Sequence, residues 1–302
     1  MMERPECTRL PDGHRLHFRH GPIDLVLRAF GAQEAVRAAE QAAVSRFSTI
    51  LEELCAELDI LRNPTRLRGH APVGRAARRM HLAVQPYAAR VFITPMAAVA
   101  GAVADEILAA MTGVAPLEKA YVNNGGDIAL HLSGAADFTV GIVDRIGAPH
   151  VAARSRLTAR NGVGGIATSG WGGRSFSLGI ADAVTVLADS AAAADAAATV
   201  IANAVNVPRH PAIRRSPATD LQPDSDLGRK LVTVGVGALN GADIAAALQS
   251  GLHVAETLQA EGHIIAASLF LKGHGLTTQD MALADATSSH RQPVMPEIAL
   301  HA

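Results

Sequence analysis

Polar and apolar residues alternate through HRLHFR and IDLVLRAF, on either side of Gly21–Pro22. A period of two on both sides of a turn predicts a β-hairpin over residues 13–30. The period lengthens to helical spacing across Ala32–Leu61, which predicts one long helix. Residues 62–90 lose this regularity. Pro64, Gly69, Pro72 and Gly74 interrupt a stretch crowded with Arg62, Arg66, Arg68, Arg75, Arg78, Arg79 and Arg90, with His70 and His81 among them. This segment reads as an irregular basic loop. Helical spacing returns over the alanine-rich Met96–Met111. Strand-like runs follow at Lys119–Asn124 and Ile128–Leu132 around Gly125–Gly126, then at Phe138–Val143 and Arg154–Ala159. Gly165–Ser169 and Phe176–Ile180 flank a glycine-rich turn, SGWGGRS.

The run Ala183–Ala188 is apolar throughout apart from Thr185 and predicts a buried strand. It feeds an alanine-rich helix that extends to about Asn206. Residues 207–229, rich in Pro, Asp, Ser and Arg, read as a long surface loop. Leu231–Val236 predicts a strand, Gly241–Gln259 a helix and His263–Leu271 a strand. From about Thr277 the pattern fades, which predicts a polar, poorly ordered tail over 277–302. Antiparallel-looking strand runs mixed with long helices favour an α+β layered fold over a strict βαβ repeat. The expected organisation is one domain over residues 1–276, with 62–90 as a variable basic rim.

Composition narrows the class. Of 302 residues, 49% are hydrophobic and 18% charged, enough for a sizeable core. Aromatics are only 3%, so that core is built from Ala, Val, Leu and Ile. A net charge of −1 argues against nucleic-acid binding driven by bulk electrostatics. No apolar run reads as long and clean enough to span a bilayer. The first residues lack the apolar core of a signal peptide. Cys7 and Cys55 make no metal motif and suit a reducing compartment. The expectation is a soluble, cytoplasmic protein, with neither nucleic acid nor membrane as a partner. Alanine-rich helices such as Met96–Met111 leave a homo-oligomer open.

Four segments carry candidate chemistry. In YVNNGGDI, Gly125 and Gly126 follow a strand and let backbone N–H groups approach anionic oxygens, with Asn124 and Asp127 beside them. The alternative is a glycine turn with Asp127 as a turn residue. In ATSGWGGRS, Thr168, Ser169 and Gly170 suit a phosphate or ring edge, Trp171 is the sole tryptophan, and Arg174 is placed to reach a phosphate. The alternative is a solvent-facing hairpin tip. On the alanine-rich helix, Asp195 and Thr199 are four residues apart and share a face. A carboxylate and a hydroxyl are hard ligands suited to Mg²⁺ or Ca²⁺. The alternative is a helix-start aspartate favoured by the dipole, with Thr199 bonding back to a carbonyl. The basic 62–90 stretch would steer an anionic ligand or simply be a solvated face. The thirteen histidines show no metal spacing, and Ser169 has no Gly-x-Ser-x-Gly context for a serine hydrolase.

Taken together and in order, these segments resemble the ApbE-like flavin transferase superfamily. GAVAD (Gly101–Asp105) running on to YVNNGGDI is similar to that family's Gly-x-x-x-Asp helix and Gly-Gly-Asp strand. GIATSG is similar to its Ala-Thr-Ser-Gly strand, and AVTVLADSAAAADAAATVIANAV to its closing strand and Asp-x-x-x-Thr helix. The matched span is Thr94–Val205. SFSLGIADAVTVLA and DSDLG resemble an uncharacterised branch of the superfamily. The resemblance implies an ApbE-like α+β fold. It also implies chemistry that moves FMN from FAD onto a protein threonine with a divalent metal. Asp195 and Thr199 would then hold Mg²⁺ with a backbone carbonyl near Val99, and Asp195 would be the candidate catalytic group. Asn124, Gly125, Gly126, Asp127, Thr168, Ser169, Gly170 and Asp182 would line the cofactor pocket.

Two positions depart from the family pattern. Ala100 stands where the transferases have a Lys before the helix glycine. WGGRSFSLGIAD replaces a His and an Asp-Pro-x-Thr-Gly loop, leaving Asp182 as the sole acid in that interval. The leading expectation is therefore a flavin- or nucleotide-diphosphate-binding enzyme, with the fold and pocket better supported than the transfer reaction. The alternatives are an enzyme for a pterin-type one-carbon cofactor on the same fold, and a non-catalytic binding or scaffold protein. In each, the partner is a small molecule: a flavin, a nucleotide or a pterin.

Overall fold

The structure, a computed structural model, describes residues 4–65, 71–146, 151–278 and 298–299. The described chain forms two compact units. The first holds residues up to Asp137 together with Thr158–Ile166 and Ala188–Ala196; the second holds Phe138–Leu157, Ala167–Leu187 and Ala197 onward.

In the first unit, β1 (Glu6–Arg9), β2 (Leu16–His20), β3 (Ile23–Phe30), α1 (Gln33–Ala56), α2 (Leu58–Leu61), α3 (Arg75–Val84), α4 (Val99–Thr112), β4 (Lys119–Asn124) and β5 (Asp127–Leu132) follow in order. The strands form an antiparallel meander, β1-β2-β3-β4-β5. The start of β8 (Gly165–Ser169) pairs Ile166 with Ile128 and Gly165 with Ala129, extending it. Strand β3 buries alternate residues, with Leu25 and Leu27 fully enclosed. Onto that face α1 lays Ala39, Ala43, Phe47 and Ile50, and α4 lays Ala102, Ile107 and Met111. Phe18 meets Phe47 with ring centroids 5.1 Å apart.

The second unit contains β6 (Asp137–Val143), β7 (Val151–Thr158), the end of β8, β9 (Ala183–Ala188), α5 (Ala191–Ala204) from Ala197 onward, β10 (Ile213–Pro217), α6 (Ala218–Leu221), β11 (Leu231–Val236), α7 (Gly241–Ala260), β12 (Ala266–Leu271) and β13 (His274–Thr277). β9, β12 and β13 pair antiparallel, as do β10 and β11. Every residue of β9 is buried, as its apolar run predicts. α7 contributes Ile244, Ala247, Leu248 and Leu252 to the core beside β12.

The α+β expectation holds, with four corrections. The 62–90 stretch is not irregular throughout: Arg75–Val84 is a helix burying Ala76, Ala77, Met80, His81 and Val84 at helical spacing. Residues 66–70 of that stretch lie outside the described residues. The 207–229 loop contains β10 and α6, because β11 supplies a partner for Ile213–Pro217. Phe176–Ile180 is not a strand. Its backbone is held instead by the Asn203 side chain at Leu178 and the Val205 carbonyl at Ile180. Finally, Pro95–Thr112 does reach membrane-spanning length and mean hydropathy. Its α4 portion serves as a core helix, buried on both apolar and acidic residues. Most of the predicted tail lies outside the described residues, and its first residue, Thr277, is the last of strand β13 (His274–Thr277).

Candidate functional site

The first unit assembles its polar chemistry where two helices begin. Helix α4 has Ala98 at its N-cap position, so no side chain of its own satisfies the first N–H groups. Asp195, from α5, supplies the acceptor instead. Its Oδ2 takes the Gly101 N–H at 3.1 Å, and the Ala100 N–H contributes a second bond. Helix α5 is served in return. Asp105 of α4 accepts the Ala191 and Ala192 N–H groups at 3.0 and 2.9 Å, one on each carboxylate oxygen. Ser190 Oγ takes the Ala193 N–H at 3.4 Å. Each helix thus carries the aspartate that caps the other, and both carboxylates sit at the positive end of a helix dipole.

Gly101 makes this approach possible. A Cβ there would lie 2.2 Å from the Ala191 carbonyl oxygen and 2.5 Å from its carbon. Backbone cannot yield as a flexible side chain does, so Gly101→Ala is expected to destabilise the protein by about 1–3 kcal/mol in thermal or denaturant melts. A melt unchanged from wild type would show that the two helix starts do not need this contact.

Both aspartates are held above the ordinary carboxylate range. Burial is the main cause for Asp195, raised to about 7, with the neighbouring Asp105 charge adding to it and the two N–H bonds opposing. Burial also dominates for Asp105, raised to about 6, against the Ala191 and Ala192 bonds. Among the described residues, the charge acting on Asp195 is the like charge of Asp105.

Asn124 joins this group, its Nδ2 donating to the Ala100 carbonyl at 3.1 Å. Val99 opens α4 immediately before Ala100. Gly125 and Gly126 form the two-residue turn between β4 and β5, with φ of +64° and +105°. Positive φ at both central positions suits glycine. The Gly126 N–H is held by Asn123 Oδ1 at 2.9 Å, and Asp127 pairs with Asn124 across the turn. Val99, Asn124–Asp127 and Asp195 are therefore gathered in one unit. Thr199 lies one helical turn beyond Asp195 on α5, partly buried.

Thr168, Ser169, Gly170, Asp182 and Thr199 belong to the second unit. Thr168 Oγ1 and Thr185 Oγ1 are hydrogen-bonded at 2.9 Å. Gly170 packs against the Asp182 carbonyl, where a Cβ would come within 2.6 Å. Asp182 is buried and accepts from Trp171 Nε1 at 3.1 Å and from the Lys272 backbone N–H at 2.6 Å. Arg174 is exposed.

Sequence reasoning did not single out Asp105 as a cap or Glu106 as a charge centre. Glu106, 1% exposed, accepts from Arg46 Nε at 2.9 Å, Arg75 Nε at 3.0 Å and Arg79 Nε at 3.0 Å. Arg75 and Arg79 come from the basic stretch, so part of its charge neutralises a buried carboxylate. The available signal was two adjacent acids inside an otherwise apolar helix, VAGAVADEILAAMT.

Among the described residues, no cluster of three or more His, Cys, Asp or Glu side chains forms a metal site. A cation here would have the Asp195 carboxylate, the Thr199 hydroxyl and backbone carbonyls at the start of α4. That hard-oxygen set fits Mg²⁺, which keeps water and substrate phosphates for its other positions. Asp195, partly buried and with no ion-pair partner among the described residues, fits it too.

No curated protein matches the chain in sequence. Among solved structures, an ApbE protein from Thermotoga maritima is 12% identical with a TM-score of 0.43, the match covering 92% of this chain and 97% of that one. The apo form of the flavinyl transferase ApbE from Pseudomonas stutzeri is 15% identical with a TM-score of 0.39, covering 92% and 94%. Residues 7–279 match a protein-family model, in keeping with the resemblance carried by GAVAD, YVNNGGDI and GIATSG. The chain belongs to the family described as AbpE bacteria.

Proposed function

We propose that this protein is a flavin- or nucleotide-diphosphate-binding, magnesium-dependent enzyme related to FAD:protein FMN transferases. The observation that carries the reading is Asp195: a partly buried carboxylate at the start of α4, accepting the Gly101 N–H and held up in pKa by burial and by the like charge of Asp105. With Thr199 it would hold Mg²⁺, whose charge would neutralise a pyrophosphate. Asn124 would fix the Ala100 carbonyl beside it, and the Gly125–Gly126 turn, whose Gly126 N–H is held by Asn123, would offer the phosphates the Gly125 N–H. Asp195 would also be the candidate catalytic group, taking a proton from an incoming hydroxyl. Ala100 and the shortened 171–182 interval support binding more than transfer.

The test is calorimetry on the whole protein with Mg²⁺ and FAD. Saturable heat that requires Mg²⁺ and disappears in Asp195→Ala is the expected result. No heat with wild type, or the same heat in the variant, would sink the reading. The same outcome would favour a non-catalytic binding or scaffold protein, in which Asp195 serves only as the cap it visibly is.

A further inference from the structure

The second unit contains a cavity of about 280 Å³ lined by Arg145, Trp171, Gly172, Asp182 and Lys272. The geometry points to a binding site for a planar aromatic anion, one ring system carrying a single carboxylate or phosphate. Trp171 is partly buried, and its indole N–H is tied to Asp182 Oδ1 at 3.1 Å. That bond fixes the ring edge and leaves a rigid face for stacking. Asp182 spends its other oxygen on the Lys272 N–H at 2.6 Å, so donors occupy both of its oxygens.

Lys272 sits at φ +51°, followed by Gly273 at +78°, in the turn joining β12 to β13. Such turns favour Asn-Gly or Gly-Gly, and a lysine there is uncommon. Strained backbone of this kind persists where its surroundings hold it, and it concentrates at ligand sites. The Asp182 bond supplies that hold. Lys272 Nζ donates to the Val236 carbonyl at 2.7 Å, which leaves two of its three donors for a ligand. Arg145 is exposed and has no ion-pair partner among the described residues. Two cations against one carboxylate leave the rim net positive. The volume lies at the lower end for small-molecule sites, which suits one ring system rather than a dinucleotide.

This site rests on the second unit alone and not on cation binding at Asp195, so it is tested in EDTA. Trp171 is the sole tryptophan, and its emission reports on the cavity directly. Adenosine 5′-monophosphate and benzoate are titrated against the full chain, with adenosine and inorganic phosphate as controls. A saturable change with either anion, and little with adenosine or phosphate, is expected; which anion binds identifies the acid group. Calorimetric affinity should fall about tenfold in Arg145→Ala and in Lys272→Met, the loss of one charge-assisted contact. No saturable change with either anion would overturn the assignment. So would full affinity in both variants, or binding of inorganic phosphate as tight as that of the aromatic anions.

Discussion

Replacing Glu106 by alanine is expected to destabilise the protein by about 3–5 kcal/mol, the range for removing one partner from a buried ion cluster. Glu106 is 1% exposed and neutralises Arg46, Arg75 and Arg79 at 2.9–3.0 Å. Without it, three guanidiniums face one another, with Glu53 bonded to Arg46 through both oxygens and Asp105 acting on Arg79 only through its charge. Arg46, on α1, is mostly buried and cannot turn to water as Arg75 can. The loss should appear in denaturant melts followed by far-ultraviolet circular dichroism, since the sole tryptophan lies in the other unit. Arg75→Ala is the control. That side chain is 71% exposed, and its removal should cost about 1 kcal/mol or less. A Glu106→Ala melt no lower than the Arg75→Ala melt would show that the cluster contributes no net stability.

The cluster also explains where the sequence was opaque. Gly74 and Pro72 mark the approach to α3, and three arginines in five residues mask the apolar Ala76, Ala77, Met80 and Val84. A glutamate more than twenty residues downstream turns two of those arginines into structural groups. Periodicity reports which face is apolar, but it does not reveal a charge partner on another helix. The 207–229 segment failed similarly. IRRSP is weakly patterned alone, and it becomes a strand because Leu231–Val236 pairs with it. Strands with strong internal pattern, such as Ile23–Phe30, Gly165–Ser169 and Ala183–Ala188, were legible without their partners.

The candidate site was legible in part. Asp195 stood out as a carboxylate in an alanine helix, and the structure shows what it touches. Its partner could not be found by spacing, because the bond runs to a backbone N–H 94 residues away. Asp105 belongs to the Gly-x-x-x-Asp block, where Gly101 admits α5 and Asp105 caps it. The motif is thus first a device for joining two helix starts, and any ligand chemistry is built on that joint.

That joint predicts an unusual pH response. Asp105 and Asp195 have folded pKa values of about 6 and about 7, above the ordinary 3.8. Between 3.8 and those values the folded state keeps protons that the unfolded state has released. Stability from this pair is therefore full below about pH 4 and is lost as pH rises toward 7, by up to about 1.4 kcal/mol per pH unit for each group. Lowered carboxylates such as Glu53 act in the opposite sense, so the wild-type curve alone does not isolate the pair. Asp195→Asn does. Its side-chain carbonyl still accepts the Gly101 N–H, and it carries no charge to desolvate or to repel Asp105. The variant should match wild type near pH 4 and exceed it by about 1–3 kcal/mol at pH 8. Mg²⁺ should raise the wild-type melting temperature at pH 8 far more than at pH 5, where the proton already occupies Asp195, and should leave Asp195→Asn unmoved. A variant less stable than wild type at pH 8 would mean that the ionised carboxylate stabilises the joint as a cap. In that case the charge at Asp195 would need no cation to explain it.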